Sequence, residues 1–241
     1  MEEQVLLEIA GISIDVCKKN IKNMHLYVKP PDGKVSVSAP LTMSNTAIER
    51  FVRTKTAWIK KQVAKFNEQP RETERAFVSG ETLYVWGKQY FLQTEYGNKN
   101  TLVLSGDKAI FTVRKASTPA QREHFVREWY RELLKADIAK LLPKWEEITG
   151  LHVSAWQTKY MTSRWGTCNT ATNKIWLNVQ LAKKTPECLE YVILHELVHT
   201  VIKKHDKRFI ALMDQYMPAW RGIRDALNGQ KLDYMEKERS R

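Results

Sequence analysis

The sequence of 241 residues predicts an α+β fold, with a β-rich N-terminal module followed by a small antiparallel sheet packed on a buried helix. Three observations predict this. Short alternating stretches separated by turn residues fill the first half. A strongly apolar helical pattern covers residues 186–201, and a β-rich stretch directly precedes it. We place the boundary near residue 116, which predicts domains 1–116 and 117–241, the second with a basic C-terminal tail.

The first module is predicted to contain strands and one helix. Its expected elements are a hairpin turning at Pro30–Gly33, a helix capped by Ser44, and two hairpins turning at Gly87 and Gly106. The sequence shows no internal repeat and no low-complexity run.

The second domain is predicted to begin with a long helix. Thr118, with Pro119 and Gln121 after it, matches a capping box with proline at the first helical position. We expect Pro143 to kink or end this helix. Residues 156–181 then predict a β-hairpin, because two β-prone stretches flank a turn-rich run at residues 169–173.

The most informative motif lies in the apolar helix. His195 and His199 are four residues apart, so on a helix their rings face the same way and can bind one metal ion. Glu196 lies beside them, where a carboxylate can act as a general base. Three polar groups on a buried helix need partners, and a single metal ion would satisfy all of them.

His205 is the expected third ligand, since catalytic zinc sites commonly use three protein ligands. This requires the chain to leave the helix within residues 200–204, after which Asp206 can cap a second helix. An acidic residue farther along, Asp214 or Asp225, is the alternative third ligand.

The stretch from Tyr160 to Leu227 resembles the YgjP-like metallopeptidase family. The SprT-like and WLM-type proteases, some of which cut proteins crosslinked to DNA, share its histidine spacing. One departure is Thr167, where the family pattern leads us to expect Ser. The resemblance rests, in chain order, on Ser163-Arg-Trp-Gly-Thr-Cys168, Ile175-Trp-Leu-Asn178, Leu181, Pro186, His195-Glu-Leu-Val-His199, His205, Phe209 and Met217-Pro-Ala-Trp220.

The resemblance implies a zincin-like metallopeptidase core that holds one Zn²⁺ ion. It assigns the metal ligands to His195, His199 and His205, and the general base to Glu196. A protein or peptide substrate is the expected partner, and we expect it to add as a further strand beside the active-site helix.

Residues that bind the substrate are less well defined by the sequence. We expect substrate contacts from Arg164, Asn178 and Tyr216. A donor that stabilises the oxyanion is also required, and the sequence leaves it open between Arg164, Tyr160, Tyr216 and Arg221.

Composition suggests a second class of partner. The formal net charge is +12, from 39 basic and 27 acidic residues, and such a balance attracts phosphate backbones. The alternative function is therefore a nucleic-acid-associated protein, whose zinc site is structural or vestigial, or a DNA-stimulated protease. The presence of Glu196 favours the hydrolase, because a degenerate site commonly loses its base.

The sequence predicts a cytoplasmic location and no membrane partner. Its three cysteines are widely spaced, which is typical of free thiols in a reducing compartment. The most apolar segment carries the two histidines and the glutamate, and the N-terminus lacks the pattern of a signal peptide. The sequence leaves the oligomeric state open.

Overall fold

The computed structural model describes residues 3–29, 33–67, 75–161 and 163–229. These residues pack as two compact units, one of residues 3–67 and one of residues 75–229. The division differs from the predicted boundary near residue 116, because the strands of residues 82–113 share a core with the long helix that follows them. The predicted α+β class is confirmed, since each unit combines strands with helices.

The first unit is a four-stranded sheet with one helix against it. The elements are β1 (Glu3–Ile9), β2 (Ile12–Lys19), β3 (His25–Lys29), β4 (Lys34–Pro40) and α1 (Asn45–Asn67). The strand order is β1-β2-β4-β3, in which β2 and β4 are parallel and the outer pairs are antiparallel. Alternate residues of β2 and β4 form the core with one side of the helix. Ser44 begins the helix as predicted, because its Oγ accepts from the Ala47 amide at 3.2 Å.

The second unit begins by repeating this topology. The elements are β5 (Thr82–Val85), β6 (Lys88–Tyr96), β7 (Thr101–Ser105), β8 (Lys108–Val113) and α2 (Pro119–Thr149). The first sheet of this unit has the order β5-β6-β8-β7, again with a parallel central pair and antiparallel outer pairs, and a long helix again follows. Both predicted hairpins are present. Residues 30–32, part of the predicted turn in the first unit, lie outside the described residues.

The repeat extends to the first hairpin turn of each sheet. Both turns have two residues with positive φ, Ala10–Gly11 in the first sheet and Trp86–Gly87 in the second. This conformation matches the twist of the flanking strands and favours glycine at the second position. The chain therefore contains a structural duplication of four strands and a helix.

The long helix α2 begins and ends as its caps predict. Thr118 and Gln121 form the reciprocal capping box, and Gly150 ends the helix in the left-handed conformation at φ 67°. The helix runs through Pro143 to Thr149, so the proline does not end it. Its buried side chains, at spacings of three or four residues, face the core: Val126, Tyr130, Leu134, Ile138, Leu142 and Trp145.

A second, three-stranded sheet and three short helices complete this unit. The predicted hairpin is present, but its second strand ends at Asn178 and not at Leu181. The Asn178 side chain accepts from the Gln180 amide at 3.2 Å and so begins a 3-10 helix there. The elements are β9 (Ala155–Lys159), β10 (Gly166–Asn169), β11 (Lys174–Asn178), the 3-10 helix Val179–Lys183, α3 (Pro186–Val198), α4 (Lys207–Tyr216) and α5 (Trp220–Gly229).

This sheet has the order β10-β11-β9, in which β10 and β11 are antiparallel and β9 is parallel to β11. The expected small antiparallel sheet is therefore mixed, and β10 is one of its edges. Among the helices of the described ranges, none combines the length and apolarity needed to cross a bilayer.

The β5–β6 turn contacts the chain just before α3. The Trp86 amide donates to the Ala182 carbonyl at 2.9 Å, and the Gly87 amide donates to the Lys183 carbonyl at 3.3 Å. A Cβ atom on Gly87 would lie 2.6 Å from the Thr185 Cγ2 atom, too close for two carbon atoms. Glycine at this position allows the duplicated sheet to support the start of α3.

We predict that Gly87→Ala destabilises the second unit more than Gly106→Ala. Both positions have positive φ, so both variants lose about 1 kcal/mol of the free energy of unfolding. Only Gly87 has a neighbour within 4 Å of the added methyl group, which costs a further ~1–3 kcal/mol. Denaturant unfolding of both variants measures the difference, and equal losses would contradict the tight turn contact.

Candidate metal centre

Helix α3 places the motif residues at the end of a buried helix. Its apolar side chains Ile193, Leu194, Leu197 and Val198 are fully buried. The helix ends at Val198, and His199 follows it in right-handed helical conformation at φ −66° and ψ −16°. Since the end uses no left-handed residue, no glycine is needed there.

The chain then turns back within six residues. The Thr200 amide donates to the Leu197 carbonyl, and the Ile202 amide donates to the Val198 carbonyl at 2.9 Å, so a tight turn ends the helix. Asp206 caps the next helix, α4, by accepting from the amides of Arg208 and Phe209. These two local structures return His205 to the motif, as the sequence requires.

The three histidines meet at their Nε2 atoms. The Nε2 atoms of His195 and His199 are 3.2 Å apart, those of His199 and His205 are 3.0 Å apart, and those of His195 and His205 are 3.1 Å apart. The ring of Phe209 contacts all three imidazoles, with centroid distances of 4.6 to 4.9 Å. Among the described residues, these three form the one cluster of metal-binding side chains.

This arrangement fits a tetrahedral metal ion. Zinc–nitrogen bonds of about 2.0–2.1 Å require ligand atoms about 3.3 Å apart, close to the distances observed. The His199 Nδ1 donates to the Ile202 carbonyl at 2.8 Å, so in the neutral ring Nε2 keeps its lone pair. Three lone pairs that converge without a proton between them repel one another, and a cation would remove that repulsion.

The surroundings keep two of the rings neutral, which is the form that binds metal. Burial, with smaller contributions from His199 and His205, lowers the pKa of His195 to about 3. Burial also lowers the pKa of His199, although its bond to the Ile202 carbonyl opposes the shift.

Glu196 is almost completely buried beside the histidines. Its side chain is 4% exposed, and burial raises the pKa of its carboxyl group to about 8, against the opposing charge of Arg164. Its Oε2 atom has no hydrogen-bond partner among the described residues. A buried carboxylate oxygen without a partner is costly, which indicates a place for a water molecule or a substrate atom.

Strand β10 lies directly against this glutamate. A Cβ atom on Gly166 would lie 2.5 Å from the Glu196 Oε1 atom and 2.9 Å from its Cγ atom. Only glycine allows the strand to approach so closely. Cys168, on the same strand, has its thiol pKa raised to about 11 by burial and by the charge of Glu196, so its thiol stays protonated.

Asn178, expected to contact substrate, is fully buried. Its side-chain amide donates to the Met161 carbonyl at 2.8 Å and to the Arg164 carbonyl at 2.7 Å. The geometry therefore places Asn178 as a support for the loop that carries Arg164, and not on a surface open to a substrate.

The other candidate donors divide into two groups. The hydroxyl groups of Tyr160 and Tyr216 donate to main-chain carbonyls, at 3.3 Å and 3.4 Å, and Arg221 forms an ion pair with Asp214. Arg164 is exposed, and its positive charge acts to lower the pKa of the Glu196 carboxyl group. Arg164 is therefore the candidate best placed to contact a bound substrate.

The two acidic alternatives to His205 have other partners. Asp214 accepts from the Trp220 indole at 2.7 Å and pairs with Arg221, and Asp225 accepts from Arg224 at 2.9 Å. Neither joins the histidine cluster among the described residues.

Two residues of the site were missed from the sequence. The sequence places Gly166 in a motif and Tyr191 in an apolar helix, without indicating the contacts that either residue makes. The position of Tyr191, four residues before His195, is a signal that could have identified it, since helical residues at that spacing are neighbours.

Comparison with protein-family models agrees with the sequence resemblance. The family model of the YgjP-like metallopeptidase domain matches residues 22–230. A solved structure, the metallopeptidase zymogen of jannalysin from Methanocaldococcus jannaschii, aligns with 20% identity and a TM-score of 0.34, covering 38% of this chain and 94% of that chain. No curated protein matches the sequence. The match to the family model covers most of both units, and the chain belongs to the YgjP-like family of metallopeptidases.

Proposed function

We propose that the chain hydrolyses peptide bonds with one zinc ion held by His195, His199 and His205, and with Glu196 as general base. The observation that carries this proposal is the convergence of three imidazole Nε2 atoms within 3.2 Å of one another, next to a buried carboxylate. Three nitrogen ligands leave a fourth position open, as in catalytic zinc sites.

The residues divide the chemistry between them. When bound, zinc supplies Lewis acidity towards a water molecule and the scissile carbonyl group. The positive charge of a bound metal ion would favour the carboxylate form of Glu196 against the burial that raises its pKa. In that form Glu196 accepts the proton of the attacking water and later passes it to the leaving amine. Its unpaired Oε2 atom supports this role, because that oxygen is available for the proton.

We assign the oxyanion contact to Arg164. Its side chain is exposed, and its positive charge acts to lower the pKa of the Glu196 carboxyl group. The Asn178 side chain fixes the main chain at this position by donating to the Arg164 carbonyl. A guanidinium group held near the reacting carbonyl would stabilise negative charge as it develops.

We infer that substrate binds along β10. This strand is an edge of its sheet, and Gly166 brings it into contact with Glu196. A substrate that adds to the edge as another strand would be held by main-chain hydrogen bonds. Such binding recognises an extended protein or peptide segment with little dependence on its sequence.

Nucleic-acid binding stays a prediction as the alternative function. The exposed side of α1 favours it, because Trp58 is 45% exposed on a helix that also exposes Lys55, Lys60 and Lys61. Exposed aromatic rings among basic residues are typical of surfaces that bind single strands.

The metal assignment predicts one zinc ion per chain in the purified wild-type protein. His205→Ala should lower zinc content to a small fraction of this value and abolish hydrolysis of casein, because only two of the three imidazole ligands remain to hold the ion. His152→Ala is the matched control, since His152 is exposed and lies outside the cluster. Retention of full zinc content by His205→Ala would contradict the ligand assignment.

The base assignment predicts that Glu196→Gln keeps the zinc ion and loses about 10²–10⁴-fold in turnover. The substitution preserves the shape of the side chain and removes its capacity to accept a proton. Zinc analysis and a peptide hydrolysis assay on the same preparation measure both effects. Undiminished turnover would remove Glu196 as the base, and a zinc-loaded wild type without any hydrolysis would favour the nucleic-acid alternative.

The close contact at β10 predicts a loss of activity in Gly166→Ala. The added methyl group displaces the Glu196 carboxylate, and a displacement of about 1 Å costs roughly a hundredfold in rate. Zinc content should be unchanged, since no ligand is touched. Gly222→Ala, where nothing lies within 4 Å of the added atom, is the control. Wild-type turnover in Gly166→Ala would show that β10 does not constrain Glu196.

A further inference from the structure

The second ring nitrogen of His195 faces the hydroxyl group of Tyr191. The Tyr191 Oη atom lies 3.4 Å from the His195 Nδ1 atom, and the two rings meet edge to face, with centroids 5.6 Å apart and planes at 62°. With Nε2 bound to a metal ion, Nδ1 would carry the proton and donate to the Tyr191 hydroxyl. The Nδ1 atom of His199 makes the equivalent hydrogen bond to the Ile202 carbonyl.

The Tyr191 ring is in turn held by α5. The ring of Trp220 lies parallel to it, with centroids 6.3 Å apart and planes at 3°. Both side chains are nearly buried, at 6% and 5% exposure. Tyr191 is therefore packed between a metal ligand on its own helix and an aromatic side chain from the end of the described chain.

Trp220 has its own fixed position. Its indole N–H donates to the Asp214 Oδ1 atom at 2.7 Å, and Asp214 also pairs with Arg221. The guanidinium groups of Arg221 and Arg224 lie 4.7 Å and 5.0 Å from the centroid of the indole ring. Contacts of this kind from several directions restrict the ring to one orientation.

We propose that Tyr191 is a positioning residue for the metal ligand His195, and that α5 fixes Tyr191 through Trp220. This inference rests on the zinc site of the proposed function. The Tyr191 hydroxyl accepts the Nδ1 proton of His195 and so orients the ring with its Nε2 lone pair towards the metal, and the stack on Trp220 determines where that hydroxyl lies. Partners of this kind commonly contribute 10–100-fold to metal affinity.

Tyr191→Phe tests the inference because it removes the hydroxyl and keeps the ring, its burial and its stack on Trp220. Zinc affinity is measured by competition with a chromophoric chelator, and the ligand geometry by the electronic spectrum of the cobalt-substituted protein. We expect zinc affinity to fall about tenfold or more, with a changed cobalt spectrum. Tyr130→Phe is the matched control, since its buried hydroxyl donates to the Tyr84 carbonyl instead.

An unchanged zinc affinity and cobalt spectrum in Tyr191→Phe would overturn the inference, while the proposed function would stand. Equal weakening by Tyr130→Phe would also overturn it, because the effect would then be general destabilisation. A wild-type protein that binds no zinc would instead refute the proposed function, on which the inference depends. Trp220→Phe keeps an aromatic ring and loses the bond to Asp214, and it should weaken zinc binding less than Tyr191→Phe does. Wild-type zinc affinity in Trp220→Phe would show that α5 does not fix Tyr191.

Discussion

The early end of helix α3 is the constraint on which the centre depends. If the helix continued past Val198, His205 would follow the helical rotation away from the other two imidazoles. The chain instead turns at residues 199–202, and the Asp206 cap starts α4 at once. The carbonyl that closes the turn, from Ile202, also accepts the His199 Nδ1 proton. One local structure therefore brings His205 back to the other two histidines and selects the tautomer of His199.

Three other parts of the second unit contact helix α3 or the chain directly before it. The β5–β6 turn contacts the chain before α3 through Gly87, β10 approaches Glu196 through Gly166, and α5 reaches His195 through Trp220 and Tyr191. Buried apolar side chains of α2, α3 and β11 fill the space between them. Because interiors are close-packed, each contact limits how far the three histidines and Glu196 can move.

The sequence predicted those features that depend on local chemistry. The spacing of His195 and His199, the caps at Thr118 and Asp206, and the turns at Gly87 and Gly106 are readable because each depends on a few adjacent residues. Features that depend on packing between distant residues were missed. Strand alternation does not say which helix a sheet packs on, so the division between the units was placed near residue 116. The duplication is hidden because alternating apolar side chains of different identity build the same sheet twice.

The same reason explains what the sequence does not indicate at the site. Asn178 was expected to contact substrate, and in the fold it is buried and donates to two main-chain carbonyls. The contact of Tyr191 with Trp220 is not apparent from the sequence, because the two residues lie far apart along the chain.

The central claim is that three imidazoles bind one zinc ion with a position left open. X-ray absorption at the zinc edge of the wild-type protein tests it most directly, and we predict three imidazole nitrogens and one oxygen ligand at about 2.0–2.1 Å. A sulfur ligand, fewer than three imidazoles, or no bound zinc would contradict it.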